Sequence, residues 1–425
     1  MELLEIPTFS GTLDATVDIP GSKSITNRAL LVAALANSES TISGALFSED
    51  THWFSKCLGD LGIPITGDAD QATFTIIGKG GAIPQPQADL FVGNAGTAAR
   101  FITAMLALGH GTYRVDGIAR MRERPMGELL TVLEQMGPQM SFENQPGCMP
   151  YVLHSNGLNG GTIRMRAHQT SQQLSALLMV APYAQHNTII NIDGELVSRS
   201  YIEITRRVMA DFGVTFEQQG DQRFLIHAGQ QYQPRTYHVE PDASNASYFF
   251  AAAAITRGRI RVKHLSGNSC QGDFGFVEVL AKMGCQIHTT EDYTEVVGPE
   301  TLRGIEVDMN DISDTVQTLA AIAPFADAPV TIRNVAHIRV KETDRIHAVV
   351  TELQRLGVQV DEFQDGLRIY PSQPHPTSIQ TYNDHRMAMA FAVLGLRVPG
   401  VVINDSDCTH KTFPTFFDTF LGLWE

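Results

Sequence analysis

Cysteine is scarce in this sequence: five in 425 residues, an odd number, with no CxxC and none at ligand spacing from a pair of histidines. That argues against a disulfide framework and a zinc site, and it suits a reducing cytoplasm. His52 and His385 also lack partners at metal-ligand spacing and read as structural. Positive charge is in deficit, with 31 Lys and Arg against 46 Asp and Glu and a net charge of −15, so neither nucleic acid nor an anionic membrane is expected as the main partner. Long hydrophobic runs are missing, and a stretch such as "YFFAAAAI" is too short to span a bilayer. The opening "MELLEIPTFSG" has no basic region followed by an apolar one, so no secretory signal is expected. Neither G-x-x-x-x-G-K-[ST] nor a well-placed G-x-G-x-x-G occurs, and no nucleotide cofactor is indicated.

What the sequence does hold is a repeat. Amphipathic segments end in an apolar residue plus glycine at Gly62, Gly137, Gly213, Gly284, Gly357 and Gly422, spaced 75, 76, 71, 73 and 65 residues apart. Glycine at each end is the expected left-handed helix cap. A second family runs in step: "TNRALLVAALA", "TAARFITAMLAL", "TSQQLSALLMVAP", "SNASYFFAAAAI", "DTVQTLAAIAPFA" and "DHRMAMAFAVLGL". These are apolar almost all round, which predicts buried helices. Their small polar first residues, Ser24, Thr97, Ser171, Ser244, Asp314 and Asp384, are candidate N-caps. A period near 73 residues is too long for a solenoid and fits six small βαβ-type units with extra strands, arranged as two domains of three. Pro-containing breaks at "DIPGSK" and "HVEPDAS" are candidate crossings between the two.

Cations recur at the starts of these helices, where the macrodipole disfavours them. Lys23 and Arg28 flank the first buried helix, Arg100 follows "GNAGTA", and Arg386 follows "NDH". The amphipathic helices repeat the habit: Arg120, Arg122 and Arg124 in "RMRERP" before Pro125, a residue suited to the first helical position, Arg339, Lys341 and Arg345 in "RVKETDR", and Lys411 in "HKTFP". Lys341 and Arg345 are expected on one face of a first helical turn. Helix starts offer free N–H groups to anions, and Thr170, Ser171 and Gln172 in "HQTSQQ" add neutral donors. Each cluster alone could be a solvated surface pair with Glu123, Glu342 or Asp344, but the recurrence at one position in several units points to an anionic ligand. Ser198 and Tyr201 in "LVSRSY" are either cap residues or ligand donors, and Asp314 and Glu342 are either dipole partners or an acid and base.

The motifs "PGSKSITNRALL", "GNAGTAARF", "RMRERPMGELL", "QTSQQLSALL", "LVSRSYIEIT", "DASNASYFFAAAAI", "RVKETDR", "YNDHRMAMAFA" and "HKTFP", in this order and over essentially the full chain, resemble the EPSP synthases, the 3-phosphoshikimate 1-carboxyvinyltransferases of the enolpyruvyl transferase family. The resemblance implies an α/β fold of two similar domains, each of three βαβαββ units around buried helices in an inverse α/β barrel-like arrangement, with the active site in the interdomain cleft. The domains would be residues 21–240 and residues 1–20 plus 241–425. It implies transfer of the enolpyruvyl group of phosphoenolpyruvate to the 5-hydroxyl of shikimate 3-phosphate, without metal or organic cofactor, by a cytoplasmic monomer. By position, Lys23, Ser24, Arg28, Thr170, Ser171, Gln172, Ser198, Tyr201, Asp314, His337 and Lys341 would hold shikimate 3-phosphate. Lys23, Gly96, Arg124, Gln172, Arg345, Arg386 and Lys411 would hold phosphoenolpyruvate. Asp314 matches the base for the attacking hydroxyl and Glu342 the group handling the methylene proton, with Lys23 assisting. Domain closure on the ligand anions would then explain how Lys341 and Arg345 are tolerated at a helix start.

Four positions depart from the commonest family pattern: Phe101 stands where Pro is frequent, Thr170 where Ser is usual, His337 where Asn is frequent, and Ser200 where Pro often precedes the Tyr. Gly96, the close-approach glycine for phosphoenolpyruvate and mimics such as glyphosate, is retained. The UDP-N-acetylglucosamine enolpyruvyl transferases carry a reactive Cys in the loop corresponding to "GIARMRERP", and this loop has none. A non-catalytic sixfold scaffold would need the cations but not the paired acids.

Overall fold

The computed structural model of the protein describes residues 3–11, 13–167 and 170–424; His168 and Gln169, which open "HQTSQQ", lie outside the described residues. The chain divides into two compact units, Gly21–Val239 and Met1–Pro20 with Glu240–Glu425.

Each unit is built on three buried helices. In the first they are Lys23–Leu35, Gly96–Leu106 and Gln172–Val180, and in the second Ala243–Thr256, Val316–Ile322 and His385–Gly395. All fourteen residues of Ala243–Thr256 are buried, so its apolar side chains gain transfer free energy on every side, about 1.5–3 kcal/mol for each large one. The three buried helices of the second unit pack against one another. A helix buried all round cannot be amphipathic, which is why these segments read as nearly continuous apolar runs.

Around the helices, among the described residues, stand six small sheets, five of four strands that share one design and a sixth of three strands. A strand pairs in parallel with the strand after a buried helix, and two antiparallel strands follow. Thus Gln87–Phe91 pairs with His110–Asp116, then Tyr151–Asn156 and Gln139–Phe142, and Glu306–Asp308 with Val330–Arg333, then Gly366–Ile369 and Val360–Phe363. The amphipathic helices, among them Ser200–Asp211 and Arg345–Arg355, fall between the second strand and the antiparallel pair. The order is therefore βαβαββ, longer than a bare βαβ unit.

Two strands are exchanged relative to chain order. Asp14–Val17, just before the first buried helix, pairs with Arg259–Lys263 within the unit Met1–Pro20 with Glu240–Glu425, while Thr236–His238, just before Ala243–Thr256, pairs with Glu39–Ser43 within Gly21–Val239. Leu3–Glu5 completes the sixth sheet by pairing with Val402–Asn404. The N-terminal segment thus belongs structurally with residues 240–425.

Five of the six repeat glycines take the left-handed conformation, with φ between 80° and 124° at Gly62, Gly137, Gly213, Gly284 and Gly357. Gly422 does not. Its φ is −73°, and the helix Phe416–Leu421 runs on into a 3-10 turn instead of reversing. The N-caps are also displaced. Ser171 and Asp384 hold the N-cap positions as expected, Asp384 alone of the two capping through its side chain, but the N-cap residues of the other buried helices are Ser22, Ala95, Asp242 and Thr315. Asp314 sits inside a 3-10 turn, Asn310–Thr315, which frees its carboxylate from capping.

Candidate active site

In the unit Gly21–Val239 the candidate residues cluster at the starts of buried helices. Arg28 is fully buried, and its guanidinium is spent on the fold: Nε donates to Thr205 Oγ1 at 2.8 Å, NH2 to Ser175 Oγ at 3.0 Å and to the Tyr201 carbonyl at 3.1 Å, and NH1 to the Ser24 carbonyl at 2.9 Å. It pins three helices together beneath Ser24 and Tyr201. The Phe101 ring lies 5.4 Å from the same guanidinium, so the bulky residue at this position serves as a buried face for Arg28. Lys23, the first residue of its helix, is 3.4 Å from Asp50.

Arg124 is buried against the turn that begins Gly96–Leu106, where NH1 donates to the Asn94 carbonyl at 3.0 Å. A Cβ built on Gly96 would lie 2.3 Å from Arg124 NH2, so only glycine lets this guanidinium settle here. We expect Gly96→Ala to displace the Arg124 guanidinium and weaken binding of inorganic phosphate at this helix start about tenfold, equivalent to about 1.4 kcal/mol; calorimetric titration checks this. Gln172 Nε2 donates to Thr97 Oγ1 at 3.1 Å, and Thr170 Oγ1 accepts from the Gln172 N–H at 3.2 Å. Ser171 is the buried N-cap residue. Ser198, also buried, has φ 53°, a left-handed turn that leads into Ser200–Asp211. Ser200 takes the first helical position, which Pro also suits, so its difference from the family pattern costs no backbone geometry.

Two cations of "RMRERP" behave differently from Arg124. Arg122 pairs with Asp116 at 2.8 Å, and Arg120 with Glu123 at 2.8 Å. Arg339 likewise pairs with Asp344 and Glu362. Pro125 is not the first helical residue, because the short helix Ala119–Glu123 ends before it and the next begins at Gly127.

In the other unit the candidates form one ionic network around Asp314. Its Oδ1 accepts from Lys341 Nζ at 2.8 Å and Arg345 NH1 at 2.9 Å, and its Oδ2 from Arg386 NH2 at 2.7 Å. Arg345 also donates through NH2 to Glu342 Oε2 at 2.8 Å and through Nε to Asp384 Oδ2 at 2.7 Å. Burial works against the charge of Arg345, yet Asp384, Glu342 and Asp314 together hold its guanidinium well above the usual range. Lys341 is not on the helix. A 3-10 turn, Ala336–Val340, precedes it, and the helix begins at Arg345 because the Asp344 carboxylate accepts from the His347 N–H. The chain's own acids thus supply the counter-charge at this helix start. Asp384 was legible only as a cap, and its second role as a partner of Arg345 had no sequence signal.

His337 lies in that 3-10 turn, 6 % exposed. Burial pushes its imidazole down to about 3, with Lys341 adding to the shift and Asp314 opposing it. It is therefore a neutral ring, able to donate one hydrogen bond. Its pKa is depressed on folding, so its stabilising contribution is present above 6.5 and is lost as pH falls toward 3. We expect His337→Asn to recover part of the acid-side loss of stability, up to about 5 kcal/mol across that window, in denaturant titrations compared with the parent chain. Lys411 is buried at the end of the turn Ser406–Lys411.

Comparison with known proteins follows this geometry closely in extent. Residues 7–420 match the model of the family described as EPSP synthase (3-phosphoshikimate 1-carboxyvinyltransferase). The chain belongs to the EPSP synthase family. A 3-phosphoshikimate 1-carboxyvinyltransferase of Nostoc punctiforme is 63 % identical over 425 residues, covering 100 % of both chains. One of Shewanella denitrificans is 44 % identical over 414 residues, 97 % of this chain and 96 % of that one. An EPSP synthase structure from Acinetobacter baumannii has a TM-score of 0.85 at 24 % identity, covering 100 % of this chain and 98 % of that one, and shares its fold. The EPSP synthase fold is thus the α/β architecture described above. Among the described residues no group of three or more His, Cys, Asp or Glu is placed to hold a metal ion, and no helix is long and apolar enough to cross a membrane.

Proposed function

We propose that this chain transfers the enolpyruvyl group of phosphoenolpyruvate to the 5-hydroxyl of shikimate 3-phosphate, releasing phosphate, in the shikimate pathway of aromatic amino acid biosynthesis. The observation that carries the reading is 63 % identity over the whole chain with an enzyme named for that activity. The geometry around Asp314 supports the chemistry. The hydroxyl oxygen bonds to C2 of phosphoenolpyruvate as a proton is added at C3. The tetrahedral adduct then loses a proton from C3 and phosphate from C2, which restores the double bond. One group must accept a proton from the hydroxyl and another must serve the methylene carbon.

We assign the first role to Asp314 and the second to Glu342, with Lys23 assisting. Lys341, Arg345 and Arg386 pair with Asp314, and Arg345 also pairs with Glu342. Phosphate and carboxylate groups of the substrates would compete for those cations and leave Asp314 able to take a proton, while the same cations stabilise charge on the departing phosphate. Lys23, Ser24, Thr170, Ser171, Gln172, Ser198, Tyr201, His337 and Lys341 are assigned to shikimate 3-phosphate, with Arg28 acting through the three helices it joins. Lys23, Gly96, Arg124, Gln172, Arg345, Arg386 and Lys411 are assigned to phosphoenolpyruvate. We take residues 21–240, and residues 1–20 with 241–425, to be the two catalytic domains of a cytoplasmic monomer, a reading supported by the acidic charge balance and the free cysteines.

The test is phosphate release. Shikimate 3-phosphate with phosphoenolpyruvate should give turnover, and UDP-N-acetylglucosamine with phosphoenolpyruvate should not. Release with the nucleotide sugar alone would reassign the substrate.

A further inference from the structure

The loop that leads into Asp384 and Arg386 is held by two residues that the chemistry above leaves unused, Glu352 and Tyr382. Glu352 lies on Arg345–Arg355 with no solvent exposure, about two helical turns beyond Arg345 and on the same face. Both residues grip the same loop. Arg345 meets Asp384 through Nε at 2.7 Å and NH2 at 3.2 Å. Glu352 Oε1 accepts from the Tyr382 hydroxyl at 2.7 Å, and its Oε2 accepts from the Gln380 N–H at 3.1 Å and pairs with Arg355. One helix thus anchors both ends of residues 380–384.

Between those anchors the backbone is strained. The Thr381 carbonyl accepts from the Asp384 N–H at 2.9 Å, closing a turn whose two central residues, Tyr382 and Asn383, have φ of 56° and 53°. Turns with positive φ at both central positions favour Gly, Asn and Asp, because most side chains crowd the backbone in the left-handed conformation. Asn383 fits that rule and Tyr382 does not. Its ring is 39 % exposed, so packing is not what holds it, whereas its hydroxyl is bound to a wholly buried carboxylate, the stronger kind of hydrogen bond. A strained residue persists only where its surroundings over-determine it, and such residues gather at functional sites. Here the turn feeds directly into His385–Gly395: the Asp384 carboxylate caps that helix by accepting from the Arg386 N–H at 3.0 Å, and Arg386 NH2 reaches Asp314 at 2.7 Å.

We propose that Tyr382 is a positioning residue for Arg386: its hydroxyl, held by Glu352, keeps the turn in the left-handed form that sets this guanidinium for the substrate anion. The proposal rests on the assignment of Arg386 to phosphoenolpyruvate given above. Tyr382→Phe removes the hydroxyl alone. At saturating shikimate 3-phosphate it should raise KM for phosphoenolpyruvate roughly fivefold, the measure of one net hydrogen bond, with kcat within about twofold and KM for shikimate 3-phosphate unmoved. Tyr382→Asn also lacks that bond but is at ease in the left-handed conformation, so its KM should lie close to the parent value. An unchanged KM for phosphoenolpyruvate in Tyr382→Phe, a parallel loss in kcat and both KM values, or a Tyr382→Asn enzyme as impaired as Tyr382→Phe overturns the proposal. Arg386→Lys separates the layers: an unchanged KM for phosphoenolpyruvate there removes Arg386 from the substrate site and takes the proposal with it. A raised KM there, beside a Tyr382→Phe enzyme that matches the parent, overturns the Tyr382 role only.

Discussion

Asp314→Ala is expected to lower kcat by about 10²–10⁴-fold while shikimate 3-phosphate still binds. The asymmetry follows from the network. Removing the carboxylate takes away the group proposed to accept the hydroxyl proton, but it also unmasks Lys341 Nζ and Arg386 NH2, which pair with it at 2.8 and 2.7 Å. Anion binding should therefore hold or strengthen. Arg345 keeps Glu342 and Asp384 and stays in place. Asp314→Asn, which keeps an oxygen acceptor without the charge, should be nearly as slow. Turnover follows from phosphate release and affinity from calorimetric titration with shikimate 3-phosphate. Parallel losses in both would assign Asp314 to the fold alone.

Arg345→Met should have the largest effect on stability. Three carboxylates pair with this one guanidinium, and Asp384, the most buried of them, is wholly inaccessible. Breaking a buried ion pair from one side strands the other charge, at a cost of about 3–5 kcal/mol. The loss should appear in urea unfolding as an earlier transition for the unit that contains residues 240–425. Arg345→Lys should recover little of it, since one ammonium cannot reproduce the fork that meets Asp384 through Nε and NH2 together. Arg345→Met with Asp384→Leu should recover more, because the stranded charge is gone. If the double variant is no more stable than the single one, the interaction with Asp384 is not what holds this helix start.

Much of the architecture was legible because it depends on side-chain period and on glycine. The apolar runs had to be buried helices, and five glycines had to reverse the chain. Gly422 shows the limit, since nothing in its neighbours distinguishes a left-handed reversal from a helix that runs on as a 3-10 turn. The cap at Asp242 in place of Ser244 was decided by which side chain could reach a backbone N–H, here that of Asn245, and such a choice between neighbouring polar residues is not written in a periodicity. In the candidate site, sequence placed cations near helix starts but could not sort them. Arg120 and Arg339 find partly exposed acids, Arg122 reaches the buried Asp116, Arg28 joins helices, and Arg124 and Arg345 are buried. What separates them is tertiary: Asn94 and Gly96 make a seat for Arg124, and Asp384 reaches Arg345 from 39 residues away.

The exchange of strands has a consequence during synthesis. Residues 21–239 form an uninterrupted insert whose own closing strand, Thr236–His238, leaves the ribosome at its end, so this half can mature as soon as it is made. Leu3–Glu5 emerges before this insert and is used long after it, since its partner lies at Val402–Asn404. Until then its edge is unpaired, and the growing polypeptide must keep it from other strands. Its three residues, Leu3, Leu4 and Glu5, are a short and partly charged edge, which suits a segment that has to wait.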